Sequence, residues 1–168
     1  MGKIQIEPYN RNMALEYAHK WAFRRNPTYL DFENIGGDCT NFSSQVIFAG
    51  SKVMNYKSAL GWYYTNSYNR SPSWTGVNFL YNFLTQNNGM GPFAKKVSMQ
   101  DIMPGDIIQL SFNGDNIYQH SLVVVQIGNP VDINNILIAT HTINRDYYAL
   151  SNYLWKDIRF IHIMGVGK

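Results

Sequence analysis

One residue type in this chain occurs once, and in a place where it could act as a nucleophile. Cys39 follows Ile35-Gly36-Gly37-Asp38 and precedes Thr40-Asn41-Phe42. The two glycines suit a turn, Asp38 is a helix-capping residue type, and an apolar-periodic stretch begins at once. The sulfur is therefore expected in the first turn of a helix, where unpaired backbone N–H groups and the helix dipole favour thiolate over thiol. A lone cysteine is otherwise a small buried hydrophobe. The turn, the cap and the histidines downstream favour the nucleophile. Asp38 is read first as the cap of that helix and second as a contact for a substrate amine.

A thiol nucleophile needs an imidazole to move its proton and a third polar group to hold the imidazole. His120 opens the apolar run His120-Ser121-Leu122-Val123-Val124-Val125, and His141 closes Ile136-Leu137-Ile138-Ala139-Thr140-His141. Paired as an antiparallel hairpin, the start of one strand lies beside the end of the other, so both rings could face Cys39. His120 is then the base and His141 its orienter, with Thr140, Thr142 or Asp146 as alternatives for the third place. An exposed strand-edge histidine is an equal reading of His120. His19 and His162 look structural. Trp62, Tyr63 and Trp74, with Tyr64, could floor a cleft for a glycan or peptide; the alternative is a hydrophobic cluster under a long loop.

These residues need elements to hold them. Residues 10 to 25 read as a helix, with Met13, Tyr17 and Trp21 at i, i+4 and i+8 and Ala14, Ala18 and Ala22 beside them; Asn26-Pro27 ends it. The cysteine helix carries Phe42, Val46 and Ala49 on one face, with Gly50 just past its end. A third helix is expected over 75–88, with Phe79, Leu80, Phe83 and Leu84 inward and Gly89 closing it. From residue 97 the period becomes strand-like: 97–99, then 107–112 after the Pro104-Gly105-Asp106 turn, then 120–125, 136–141 and 158–163. Helices first and strands second indicate α+β, with the N-terminal helices, the nucleophile helix among them, packed on a C-terminal antiparallel sheet.

Composition narrows the function classes. With 168 residues, a single domain spanning 1–168 is expected. Aromatics make up 15% of the chain, including 12 Tyr and 4 Trp, a surplus suited to flat sugar or peptide surfaces. One cysteine excludes an intrachain disulfide and a multi-cysteine zinc site. No His-Glu-x-x-His spacing exists, so neither a metal nor another cofactor is expected. The net charge of +3 has no basic stripe behind it, which argues against nucleic acid. No apolar run approaches a membrane span. The opening residues 1–8 have neither a signal-peptide core nor a myristoylation pattern.

Four motifs occur in order: Asp38-Cys39-Thr40-Asn41-Phe42-Ser43-Ser44-Gln45, Pro104-Gly105-Asp106, His120-Ser121, and Ala139-Thr140-His141-Thr142. Together with Gly61-Trp62 and Ser73-Trp74 they resemble the bacterial "putative amidase" domain family over about residues 9–165. That family is similar to the NlpC-type and CHAP cell-wall peptidases of papain-like fold. The resemblance implies a cysteine hydrolase of peptidoglycan or its stem peptide. It would cut as a muramoyl–alanine amidase or an endopeptidase, with Cys39 as nucleophile, His120 as base and His141 as orienter. It would act at the cell wall as a monomer, in the manner of a lysin. An acyltransferase or transglutaminase-like enzyme with the same triad, and a non-catalytic glycan-binding wall module, are the alternatives.

Overall fold

The computed structural model describes residues 3–168. The signal-peptide and myristoylation readings rest in part on Met1 and Gly2, which lie outside the described residues. Strand β1 (Ile6–Glu7) leads into α1 (Arg11–Trp21), where the Asn10 side chain accepts from the Met13 N–H at 3.1 Å and caps the helix. The face turned inward is Ala14, Ala18 and Ala22, whereas Met13 is 40% exposed. The expected stripe of large residues is thus displaced by small ones, and the reason is proximity. A Cβ on Gly50 of the neighbouring helix would lie 2.4 Å from the Tyr9 ring and 2.8 Å from the Asn10 carbonyl oxygen, so the start of α1 approaches to backbone contact.

Helix α2 (Cys39–Ser51) begins where the sequence predicts and is enclosed on nearly every side. It runs past Gly50 and ends at Lys52, whose φ of 57° supplies the left-handed turn expected of a glycine. Because the helix is surrounded, its polar residues need partners. Ser44 Oγ donates to the Trp74 carbonyl and accepts from Trp62 Nε1, and Asn41 Oδ1 accepts from Trp74 Nε1. Trp62 and Trp74 are 0% exposed, with ring centroids 4.8 Å apart. Both indole faces and both N–H groups are consumed by the core, so neither tryptophan floors a cleft; the hydrophobic-cluster reading holds for this pair. Tyr63 is half-buried and lies 5.2 Å from the ring of the exposed Tyr56.

Between the tryptophans, β2 (Tyr64–Asn66) and β3 (Asn69–Arg70) form a small hairpin. The expected third helix is two: a single turn α3 (Pro72–Thr75) and α4 (Val77–Gln86). They meet at Gly76, where a Cβ would strike the Phe79 ring at 2.7 Å. That break turns Phe79 outward to 60% exposure, while Leu80, Phe83 and Leu84 face the core as expected.

The remaining strands are β4 (Gly91–Val97), β5 (Ile107–Ser111), β6 (His120–Gln126), β7 (Leu137–Thr140), β8 (Arg145–Ala149) and β9 (Asp157–Gly167). They form an antiparallel sheet ordered β1-β9-β5-β6-β7-β8, with β4 also on β9. The architecture is α+β. One sheet face, carrying Ile107, Val123, Ala139 and Ile161, shares a core with Phe42, Val46 and Ile47 of α2. The other, carrying Ile108, Leu110, Leu122 and Val124, packs on Ile102, Ile136, Leu150 and Tyr153. The turn Pro104-Gly105-Asp106 is an anchor as well as a turn: the fully buried Asp106 accepts from Arg11 at 2.8 Å and from His162 Nδ1 at 2.7 Å. His162 is structural, as read from sequence. No helix among the described residues is long and apolar enough to cross a membrane.

Candidate active site

Cys39 sits at the first residue of α2, 7% exposed, with Asp38 behind it at the cap position. Asp38 makes no side-chain cap bond. It is fully buried, and its carboxylate is spent elsewhere: Oδ1 accepts from the Phe32 N–H at 2.9 Å and from Asn41 Nδ2 at 2.8 Å, and Oδ2 accepts from His141 Nδ1 at 2.5 Å. Both the capping and the substrate-amine expectations are thereby corrected. Arg25 Nε lies 3.4 Å from the same carboxylate, while its other nitrogens donate to Glu33 and Asn144 at 3.0 Å. The Asp38 N–H donates to Thr142 Oγ1 at 2.9 Å, and Gly37, at φ +101°, leaves that hydroxyl room: a Cβ there would come within 3.3 Å of it.

His141 is equally committed. Its Nε2–H donates to the Trp21 carbonyl at the end of α1 at 2.8 Å, and its ring stacks on Phe42 at 4.1 Å between centroids. Both nitrogens are occupied, and neither faces His120. The sequence expectation of His141 as orienter of His120 gives way to a different placement: His141 ties the start of α2 to the end of α1. The next-best candidates are also engaged. Thr140 Oγ1 donates to the Ser121 carbonyl, Thr142 holds Asp38, and Asp146 pairs with His19 Nδ1 at 2.9 Å. His19 is therefore structural, as expected.

His120 opens β6, and the expected hairpin forms: Val123 pairs with Ala139 and Val124 with Ile138. Adjacent residues draw it toward Cys39. Ser121 Oγ and Thr40 Oγ1 are 2.9 Å apart. The Thr40 hydroxyl lies 3.8 Å from that sulfur. Two dipeptides, 39–40 and 120–121, are thus fastened side by side.

The surroundings of His120 are aromatic: Tyr153 at 5.7 Å and Phe112 at 6.5 Å between ring centroids. Among the described residues neither ring nitrogen of His120 has a hydrogen-bond partner. Burial in this setting depresses its pKa from 6.5 to about 4. Burial also pushes the Cys39 thiol up, more strongly than the donors from Ser121 and Thr40 pull it down, and the Asp38 charge pushes the same way. The helix start therefore does not deliver a resting thiolate; desolvation outweighs the dipole, and the pair rests as thiol and neutral imidazole. Tyr153, raised to about 12 by burial, lies close enough to Cys39 for a thiolate to disfavour its ionisation. It stays a phenol and a donor. Sequence reading missed Tyr153, because a tyrosine in the loop after Leu150 carries no spacing signal.

A cavity of about 390 Å³ runs along α4 past Leu60, Phe79, Asn82 and Gln86, and its lining includes neither Cys39 nor His120. Among the described residues no group of three or more His, Cys, Asp or Glu is placed to hold a metal ion.

Comparison with known proteins adds a family. The family model described as "Putative amidase domain" matches residues 8–164. The uncharacterized protein YhbB of Bacillus subtilis (strain 168) is 37% identical over 120 residues, which cover 70% of this chain and 37% of YhbB. The chain thus spans well under half the length of that relative. No solved structure matches.

Proposed function

The chain belongs to the putative amidase domain family, and from that premise we propose that it is a papain-like, cysteine-dependent hydrolase of a C–N bond in peptidoglycan. The reading of an amidase follows the family; the cysteine mechanism and the substrate are our inference. The observation that carries it is the fastening of Cys39-Thr40 to His120-Ser121 by the 2.9 Å contact between the Thr40 and Ser121 hydroxyls. It sets the end of the strand that bears the unbonded imidazole of His120 beside the helix turn that bears the thiol.

Cys39 attacks the amide carbonyl carbon as its proton passes to His120. Starting from thiol and neutral imidazole, the transfer accompanies attack and does not precede it. The resulting oxyanion meets the backbone N–H of Cys39, which the helix leaves unpaired, and the phenol O–H of Tyr153. His120 then gives its proton to the departing amine as the C–N bond breaks, leaving a thioester. Water attacks the thioester with His120 again taking the proton, the acid departs, and the thiol is restored. His141 and Asp38 act as positioning residues that fix the helix turn bearing Cys39.

Digestion of purified peptidoglycan, with the fragments weighed by mass spectrometry, tests the reading. New muramoyl carboxyl groups or stem-peptide amino groups are expected with the unmodified chain and not with Cys39→Ala. The same fragments from both proteins would overturn it.

A further inference from the structure

Among the described residues, Arg159 is the most deeply buried cation that forms no ion pair. It is 7% exposed on β9, held between the rings of Tyr81 and Tyr118 with its guanidinium carbon 3.7 and 3.8 Å from their centroids. Its hydrogen bonds go to neutral oxygens: Nε and Nη2 to Gln109 Oε1 at 2.8 and 2.5 Å, and Nη2 to Asn78 Oδ1 at 3.2 Å. Nη1 has no partner among the described residues, and it is not sealed from solvent. Arg11 and Arg25, by contrast, each meet carboxylates. Asp157 lies two residues earlier on the same strand and acts on Tyr118, but it forms no ion pair with Arg159 among the described residues. A buried cation without an anion is costly, and such charges are ordinarily paired.

Its place in the sheet points to where an anion would come from. Ser121, Gln109 and Arg159 stand opposite one another on β6, β5 and β9. At about 4.8 Å per strand, Arg159 lies roughly 10 Å from Ser121, whose hydroxyl meets that of Thr40 beside Cys39. Two or three extended residues of a bound peptide cross that distance. Gln109 links the two ends: its Nε2 donates to Ser121 Oγ at 3.2 Å while its Oε1 holds the guanidinium. Tyr118, which covers one guanidinium face, is two residues before His120.

We propose that Arg159 is a substrate-recognition residue whose Nη1 edge takes a carboxylate carried by the peptide a residue or two from the bond that is cut. The tyrosine faces exclude water from the cation, and the neutral amides aim it without neutralising it, so the charge is left for the ligand. The proposal rests on the amidase reading above for its substrate class.

The test uses two muropeptides that differ in one group, each with its γ-carboxyl capped as the methylamide: N-acetylmuramoyl-L-alanyl-D-isoglutamate, with a free α-carboxylate, and its isoglutamine twin, with a carboxamide and no peptide carboxylate. Binding is measured calorimetrically on the full chain carrying Cys39→Ala, so turnover does not intervene. The carboxylate twin should bind at least about tenfold tighter, as expected for a charge-assisted contact. That preference should vanish in Arg159→Gln and shrink in Arg159→Lys, which keeps the charge and loses the fork. Equal affinity for the twins, binding of neither, or a preference that survives Arg159→Gln overturns the proposal. Should Arg159→Gln not fold, the twin comparison on the Arg159 protein decides, with Arg159→Lys as the variant. Cleavage by the unmodified chain is scored separately. A preference without cleavage keeps the arginine site and discards the amidase reading, and cleavage without a preference does the reverse.

Discussion

His120 opens one of a pair of strands, His141 follows the end of the other, and the two look alike in sequence, yet their surroundings are opposites. His141 is saturated: one nitrogen on Asp38, one on the Trp21 carbonyl, its face on Phe42. His120 is nearly as buried, but its neighbours are the rings of Phe112 and Tyr153, and no hydrogen bond holds it among the described residues. A ring with both nitrogens committed cannot relay a proton without breaking the fold around it. A desolvated, unbonded ring has its lone pair available. Burial alone therefore does not tell a structural histidine from a reactive one; the accounting of its two nitrogens does.

The contrast can be broken most forcefully at His120. Replacing it with alanine should lower hydrolysis by about 10³-fold or more while leaving the unfolding midpoint within a few degrees, read by peptidoglycan release and by thermal melts. His141→Ala should do the converse. It takes the shortest of the hydrogen bonds from the buried Asp38 carboxylate, leaving Phe32, Asn41 and Arg25, and should cost about 3 kcal/mol in denaturant unfolding. If His141→Ala unfolds like the parent and only activity falls, the division of roles proposed for the two rings is wrong.

Acidity sharpens the comparison further. His120 has its pKa depressed in the folded chain, so between pH 6.5 and about 4 the unfolded chain binds the extra proton. Stability should be undiminished above pH 6.5 and fall as the pH drops toward 4, by up to about 3 kcal/mol at the limit. Comparing denaturation at pH 7 and pH 4.5 in the parent and in His120→Asn checks this, since the variant should lack that part of the loss. The acid limb of kcat/KM should likewise sit nearer pH 4 than 6.5. The smallest effect is expected at Tyr153→Phe: a drop of about a hundredfold in kcat with KM little changed, if its phenol meets the oxyanion. A change confined to KM would remove it from that role.

Much of the frame was legible. The turn Gly36-Gly37-Asp38 announced the start of α2 at Cys39, because glycine turns and the switch to helical periodicity are local, even though Asp38 does not cap. The β6–β7 hairpin was legible from two apolar runs. Strand β4 was not, since Gly91-Pro92 and Lys95-Lys96 hide its alternation, and β9 supplies the pairing that makes it a strand. The aromatic loop misled for a related reason. Trp62 and Trp74 read as surface because they sit in a loop, and the enclosure of α2 drew both into the core.

The sequence by itself determined a helix that opens on the lone thiol, a histidine that opens a strand, and the α+β order between them. Tertiary structure decided which histidine is free, that Asp38 anchors and does not cap, and that burial holds the thiol protonated. The reason is one of range. Capping, turns and alternation are settled within a few residues, whereas desolvation and hydrogen-bond saturation depend on groups a hundred residues away, as Asp38 is from His141.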